Sequence, residues 1–251
     1  MATPLYVEAR IRADIEELWA ATQDPARHQR WDLRFTQIEY LDSADGGHGA
    51  DGGDRGPQRF RYGVRVLGFM LSGTGVCAGE RRRSDGSRTS ALRFASPHPL
   101  SLLAEGSGYW RYVPTDDGIR FLTGYDYRPR WGRFGRLADR VLFRPLMGWA
   151  TAWSFDRLRL WLERGTTPER SLLYALANVA IRAAAVSAAA MLTPSATALS
   201  PVTLSPVTLL VAAAMVLLPP PAATPAARRC LRRRPAHATA PGLLERLVPL
   251  T

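Results

Sequence analysis

The chain has 251 residues, of which 46% are hydrophobic, enough for one sizeable domain with an appendage and too apolar for disorder throughout. Its formal net charge is +11, and all 33 basic residues are arginine. The absence of lysine excludes a Schiff-base amine, a Ser–Lys dyad and a P-loop lysine.

The charge is uneven. Residues 165–251 hold eight arginines and two glutamates, more than half of the excess. The preceding residues are only mildly basic, so no nucleic-acid partner is expected. Cys77 and Cys230 make neither a disulfide framework nor a metal knuckle, and a reduced setting fits. The first residues alternate like a strand and show no basic-then-apolar leader, so export of this part is not expected.

Tyr6 to Arg12 alternates as a first strand. Asp14 caps a short helix to Thr22, with Glu16 and Glu17 at its positive end. Asp24-Pro25 opens a second helical piece, Ala26 to Gln29, that ends at Trp31-Asp32. Phe35 to Leu41 is a second strand. Residues 42–57 are a glycine-rich loop, acidic and without a GxGxxG that follows a strand, so a phosphate cradle is not expected. Five further strands follow: Phe60–Val66, Phe69–Cys77, Thr89–Phe94, Gly108–Val113 and Gly118–Tyr127. Hairpin turns are expected at Ser84-Asp-Gly-Ser and Thr115-Asp-Asp-Gly.

A long helix is predicted from Arg133 to Arg164. Leu137, Val141, Leu142, Leu146, Trp149, Trp153 and Leu160 form a stripe expected to bury against the sheet. Pro145 should kink or split it, and Gly165 should end it. The order gives an α+β fold, a curved antiparallel sheet gripping one helix with a cavity between them.

That order resembles the START-like superfamily, also called the polyketide cyclase/dehydrase or SRPBCC group. The resemblance covers about residues 4–164. It rests on Ile15-Glu16-Glu17-Leu18-Trp19, Asp24-Pro25-Ala26-Arg27-His28, Trp31-Asp32, Tyr125-Asp126-Tyr127 and the closing helix with Trp153, Leu158, Leu160 and Glu163. It implies a helix-grip fold whose cavity takes lipids, sterols, polyketides or other apolar molecules. A minority of such proteins catalyse cyclisation or aromatisation.

His28 and Asp32, four apart and flanking Trp31, have two readings. One is an acid–base pair at a cavity mouth. The other has Trp31 packing the short helix on the sheet while His28 and Asp32 face solvent or cap helix ends. His98, between Pro97 and Pro99, is either a cavity-rim base or a surface-loop residue. The four histidines, at 28, 48, 98 and 237, make no zinc motif, and no metal or cofactor is expected. Tyr62, Tyr109, Tyr125, Tyr127, Trp149 and Trp153 are candidate ligand-binding residues, with core packing as the alternative. Alternation puts Tyr125 and Tyr127 on one face of their strand. In the neighbouring strand it puts Trp110 and Tyr112 on one face and Tyr109 and Arg111 on the other. Arg81-Arg82-Arg83 reads as a solvated hairpin tip or a membrane-surface contact.

The chain changes character near residue 165, and three parts are expected. Residues 1–165 form the ligand-binding domain, 166–223 an apolar helical hairpin and 224–251 an Arg-rich tail. Residues 171–192 are long enough to span a bilayer but carry Arg182 at mid-length. Residues 202–218 hold the second apolar segment, ended by Pro219-Pro220-Pro221. Arginines on both flanks place both hairpin ends in the cytoplasm if it inserts. Without insertion, the pair is a soluble cover or dimer surface. The leading expectation is binding of a hydrophobic small molecule or lipid at the cytoplasmic face of the cell membrane. The alternatives are a polyketide cyclase/aromatase-like enzyme, or a non-catalytic interaction protein, in the cytoplasm.

Overall fold

The computed structural model describes residues 4–41, 58–66, 69–192, 205–235 and 240–246. The 42–57 loop, His48 and His237 lie outside them. Two compact units result: residues 1–165 with 226–251, and residues 166–225.

In the first unit, β1 (Leu5–Ile11) leads into α1 (Ile15–Gln23) and α2 (Pro25–Trp31). The Asp14 carboxylate accepts from the backbone of Glu16 and Glu17, and that of Asp24 from Ala26, so both helices start on the caps expected of them. Six strands follow: β2 (Gln37–Tyr40), β3 (Gln58–Val66), β4 (Phe69–Arg82), β5 (Arg88–Ala95), β6 (Leu103–Thr115) and β7 (Gly118–Pro129). They form one antiparallel seven-stranded sheet, ordered β1-β7-β6-β5-β4-β3-β2. Large rings face small partners across the strands. Tyr62 pairs with Gly73 and Phe60 with Gly75, and a Cβ at either glycine would collide with the opposing ring. These glycines let the aromatic side chains lie flat on the sheet.

The closing helix departs from the single stripe read from the sequence. It comprises α3 (Gly132–Ala138), one π-helical stretch over Asp139–Phe143, and α4 (Arg144–Arg164). Pro145 sits in the first turn of α4, where its missing N–H costs least. Gly165 ends α4 in the left-handed region at φ 63°. Trp153, Phe155, Leu158 and Leu160 are buried, and α4 packs along β1. Leu137, Val141, Leu142, Leu146 and Trp149 are exposed instead of buried. The π-stretch and the proline shift the helical register at that point, so one 3.6-residue period cannot place both halves on the sheet.

The C-terminal arginines do not form a separate tail. Ala226 to Leu231 return to the first unit. The backbone of Leu231 pairs with Glu8, and the Cys230 thiol donates to the Ala152 carbonyl. The Asp156 carboxylate, fully buried in α4, accepts from Arg159 at 2.7 Å, Arg229 at 2.8 Å and the Ala226 backbone at 2.8 Å. Leu243 and Leu244 cover a small core of Tyr6, Ala91, Tyr109 and Leu122 on the convex face.

The second unit contains α5 (Pro168–Leu192) and α6 (Pro206–Leu217), packed as a hairpin. At 1.5 Å per residue, α5 is long enough to cross a bilayer and α6 is not. Arg182 donates to Asn178 within α5 and to the Met215 and Pro219 carbonyls at the C-terminal end of α6. The last carbonyls of a helix lack intrahelical donors, so the mid-helix charge is matched where a helix end needs them.

Asp156→Ala leaves Arg159 and Arg229 without their shared carboxylate. It should lower unfolding stability by about 3 kcal/mol and speed tryptic cleavage at Arg229, both measurable by denaturant titration and timed proteolysis.

Candidate functional site

The face of the sheet toward α4 carries alternate residues of β6 and β7. Tyr112, Trp110 and Gly108 stand opposite Phe121, Thr123 and Tyr125. Near α1 and α2 this space is filled by rings. Trp31 packs with Trp110 and Phe155, and Phe121 stacks on Phe155 at 4.4 Å.

His28 and Asp32 lie inside this core rather than at a cavity mouth or in solvent. The His28 ring is 4.9 Å from both Trp31 and Trp110 and 5.3 Å from Phe35. Its Nε2 is 3.1 Å from Asp32 Oδ2, the geometry of an N–H donated to the carboxylate. Asp32 also receives both arms of Arg34, at 2.9 and 2.6 Å. Burial alone would raise the Asp32 pKa. The Arg34 charge and the hydrogen bonds from His28 and Arg34 outweigh it and hold the carboxylate well below its ordinary range. Burial pushes the His28 pKa down, against the pull of Asp32, so the ring is held toward its neutral form.

Arg34 was not among the residues singled out in the sequence, yet it joins this cluster to the cavity side. Its guanidinium lies 5.5 Å from the Tyr125 ring and 5.6 Å from the Phe35 ring. The Tyr125 hydroxyl is 2.9 Å from Thr151 Oγ1 in α4. Tyr62 reaches Phe35 at 5.7 Å, and burial pushes its phenol up to about 12. Trp153 is buried beneath the guanidinium of Arg157, and half-exposed Trp149 stacks on it at 6.2 Å. Tyr109 stands apart on the convex face, because its neighbours Gly108 and Trp110 are the residues that point toward α4. His98 sits in the loop before β6, where its Nδ1 accepts from the Leu100 backbone.

An open cleft of about 1280 Å³ lies where the ends of β5, β6 and β7 meet α3 and the π-stretch. Tyr127 lines it, donating to Asp139 at 2.6 Å beneath the guanidinium of Arg144. Arg144 in turn bonds Asp139 and Asp126. Arg93, Arg136 and Arg140 also line the cleft, whereas His28, Asp32 and His98 do not. Glu105 and Asp126 line it too, paired with Arg128 and Arg144, so arginines exceed acids on its wall, and the acid–base candidates are elsewhere. Among the described residues no group of three or more histidine, cysteine or acidic side chains could hold a metal ion.

Residues 4–163 match the family model of polyketide cyclase / dehydrase and lipid transport proteins. The chain is 46% identical over 178 residues to the uncharacterized membrane protein YndG of Bacillus subtilis (strain 168), covering 70% of this chain and 63% of that relative's length. Two solved structures are similar in fold. The STAR-related lipid transfer protein from Xanthomonas axonopodis has 17% identity and a TM-score of 0.45, covering 63% of this chain and 85% of its own. The Zhui aromatase/cyclase from Streptomyces sp. R1128 has 15% identity and a TM-score of 0.39, covering 62% and 94%.

Two outcomes follow from the buried cluster. His28 has a lowered folded pKa, so its contribution to stability is present above about pH 6.5 and is lost as pH falls through the folded value. Urea midpoints should drop on acidification below pH 6.5, and His28→Phe should remove that drop. Arg34→Leu should cost about 3–5 kcal/mol at pH 7 by stranding a buried carboxylate. Without Arg34, its charge and hydrogen bonds no longer offset burial, and the Asp32 pKa rises from its depressed position. The deficit of the variant should then shrink as pH falls and Asp32 takes up a proton.

Proposed function

The chain belongs to the polyketide cyclase / dehydrase and lipid transport family, and from that premise we propose that it binds a hydrophobic small molecule or lipid at the cytoplasmic face of a membrane. The observation that carries this reading is the cleft at the α3 end of the grip. There Tyr127 and Leu137 share one opening with the arginines, while the opposite end is filled by aromatic packing. Such an opening suits an amphiphilic ligand, with its apolar part against the rings and its head near the guanidinium groups.

Binding without turnover is favoured over cyclisation. His28 is locked to Asp32 among aromatic rings away from the cleft, and a general base must reach the proton it removes. The membrane part of the reading rests on α5, long and apolar enough to cross a bilayer. It also draws on the Bacillus subtilis relative, a membrane protein by its name. Residues 166–225 are inserted between two segments of the first unit. An inserted hairpin must therefore enter and leave by the same side. The arginines of the first unit support the cytoplasm as that side, in the sense of the positive-inside rule.

Replacing residues 166–225 with a Gly/Ser linker keeps the returning segment that a simple truncation at Gly165 would remove. The full chain should resist carbonate extraction from membranes. The excised chain should be soluble and bind a fluorescent fatty-acid probe, with Tyr127→Ala weakening binding about tenfold. A full chain released by carbonate would overturn the membrane part, and an excised, folded chain that binds no apolar probe would overturn the ligand part.

A further inference from the structure

The apolar side chains that leave the core at the start of the closing helix are exposed on consecutive turns. Phe134 is 71% exposed, Val141 70% and Leu142 68%, and Leu146 and Trp149 are about half exposed. A stripe of this length on a folded domain marks a contact surface. Beside it runs a second stripe, Arg133, Arg136 and Arg140, spaced three and four residues apart and exposed. None of the three has an acidic partner among the described residues. Asp139, the nearest acid in the helix, is buried and committed to Tyr127 and Arg144. The exposed face is thus apolar and cationic, and the acids that share the cleft with Arg136 and Arg140, Glu105 and Asp126, are paired with Arg128 and Arg144.

The turn that starts the helix adds an observation of a different kind. Trp131 adopts φ 64°, a conformation bulky residues rarely take, and Gly132 follows at φ 55°. The indole is 44% exposed, and its N–H is held by the Pro99 carbonyl. Two tryptophans, Trp131 and Trp149, thus bracket the apolar stripe. An amphipathic ring at the boundary, apolar chains on one side and arginines on the other are what the interfacial zone of a bilayer accommodates.

We propose that the face formed by Trp131, Phe134, Val141, Leu142, Leu146 and Trp149, with Arg133, Arg136 and Arg140, docks the first unit flat on an anionic phospholipid surface. A protein partner would satisfy the apolar stripe equally well, but the uncompensated arginine row selects an anionic surface. Arg136 and Arg140 also line the cleft, so docking brings the cleft opening against the headgroups. The inference deepens the lipid-binding reading and rests on it. It adds the lipid class and the surface through which a ligand enters.

The test uses the full chain reconstituted in vesicles of phosphatidylcholine alone or mixed with phosphatidylglycerol. An environment-sensitive fluorophore is attached through Leu142→Cys. Asp116→Cys, at the opposite ends of β6 and β7, is the reference position, and the unsubstituted chain controls for labelling at Cys77 and Cys230. The label at position 142 should be quenched by lipids brominated on their acyl chains, and the label at position 116 should not. Arg136→Glu and Arg140→Glu should each weaken the contact about fivefold in the anionic vesicles, with little effect in the neutral ones. Equal quenching at both positions, none at 142, or quenching indifferent to lipid charge would overturn the proposal. Energy transfer between labels on two copies without lipid quenching would assign the face to self-association and overturn it as well. Binding of the fatty-acid probe is measured in the same samples. Probe binding without quenching at position 142 sinks the docking surface alone, and quenching without probe binding supports docking while sinking the ligand reading.

Discussion

Asp32 lies fully buried where α2 ends, and its charge is tolerated because the Arg34 guanidinium grips both of its oxygens while the Arg34 backbone and His28 donate further bonds. A lone carboxylate would not remain ionised in that setting. Once paired, it pins the segment after α2, whose backbone reaches α4 through Leu33 on Ser154 and Trp31 on Arg157. Arg34 then extends over Tyr125 on the sheet. The same carboxylate therefore ties helix to sheet.

Asp156 plays a matching part on another face of α4. It draws in Arg159, Arg229 and the Ala226 backbone, closing the first unit with residues that lie beyond the hairpin in sequence. Since the chain leaves this unit at Gly165 and rejoins it at Ala226, residues 166–225 are an insertion rather than a C-terminal appendage. That connectivity matters for any membrane role, because an inserted hairpin must present both ends to the same compartment.

The closing helix divides its labour at the π-stretch. Beyond it, Phe155, Leu158 and Leu160 supply the buried seam that holds the helix on the sheet. From α3 through the π-stretch to the first turns of α4, apolar side chains of similar size face outward, and the arginines of α3 and the π-stretch stand beside them. Burying both halves would have filled the end of the grip. Leaving the first half exposed puts an apolar surface beside the cleft.

Much of this was legible in the chain. Alternation and turn residues determined the strands and the antiparallel run they form, because side chains in a strand point to opposite faces whatever the surroundings. Asp14, Asp24, Pro145 and Gly165 marked helix ends through local backbone chemistry, and the family resemblance covered the same residues as the fold. Three things were decided only by tertiary structure. The stripe from Leu137 to Trp149 has helical spacing but no mark of which turns meet the sheet, since the π-stretch shifts the register without a composition signal. Arg34 and Asp139 read as ordinary polar residues, because what distinguishes them is burial beside Asp32 and Tyr127. The return of Arg229 to Asp156, 73 residues apart, is invisible to any local pattern. A charge run shows only that charges are present, and its partner is set by how the chain folds back.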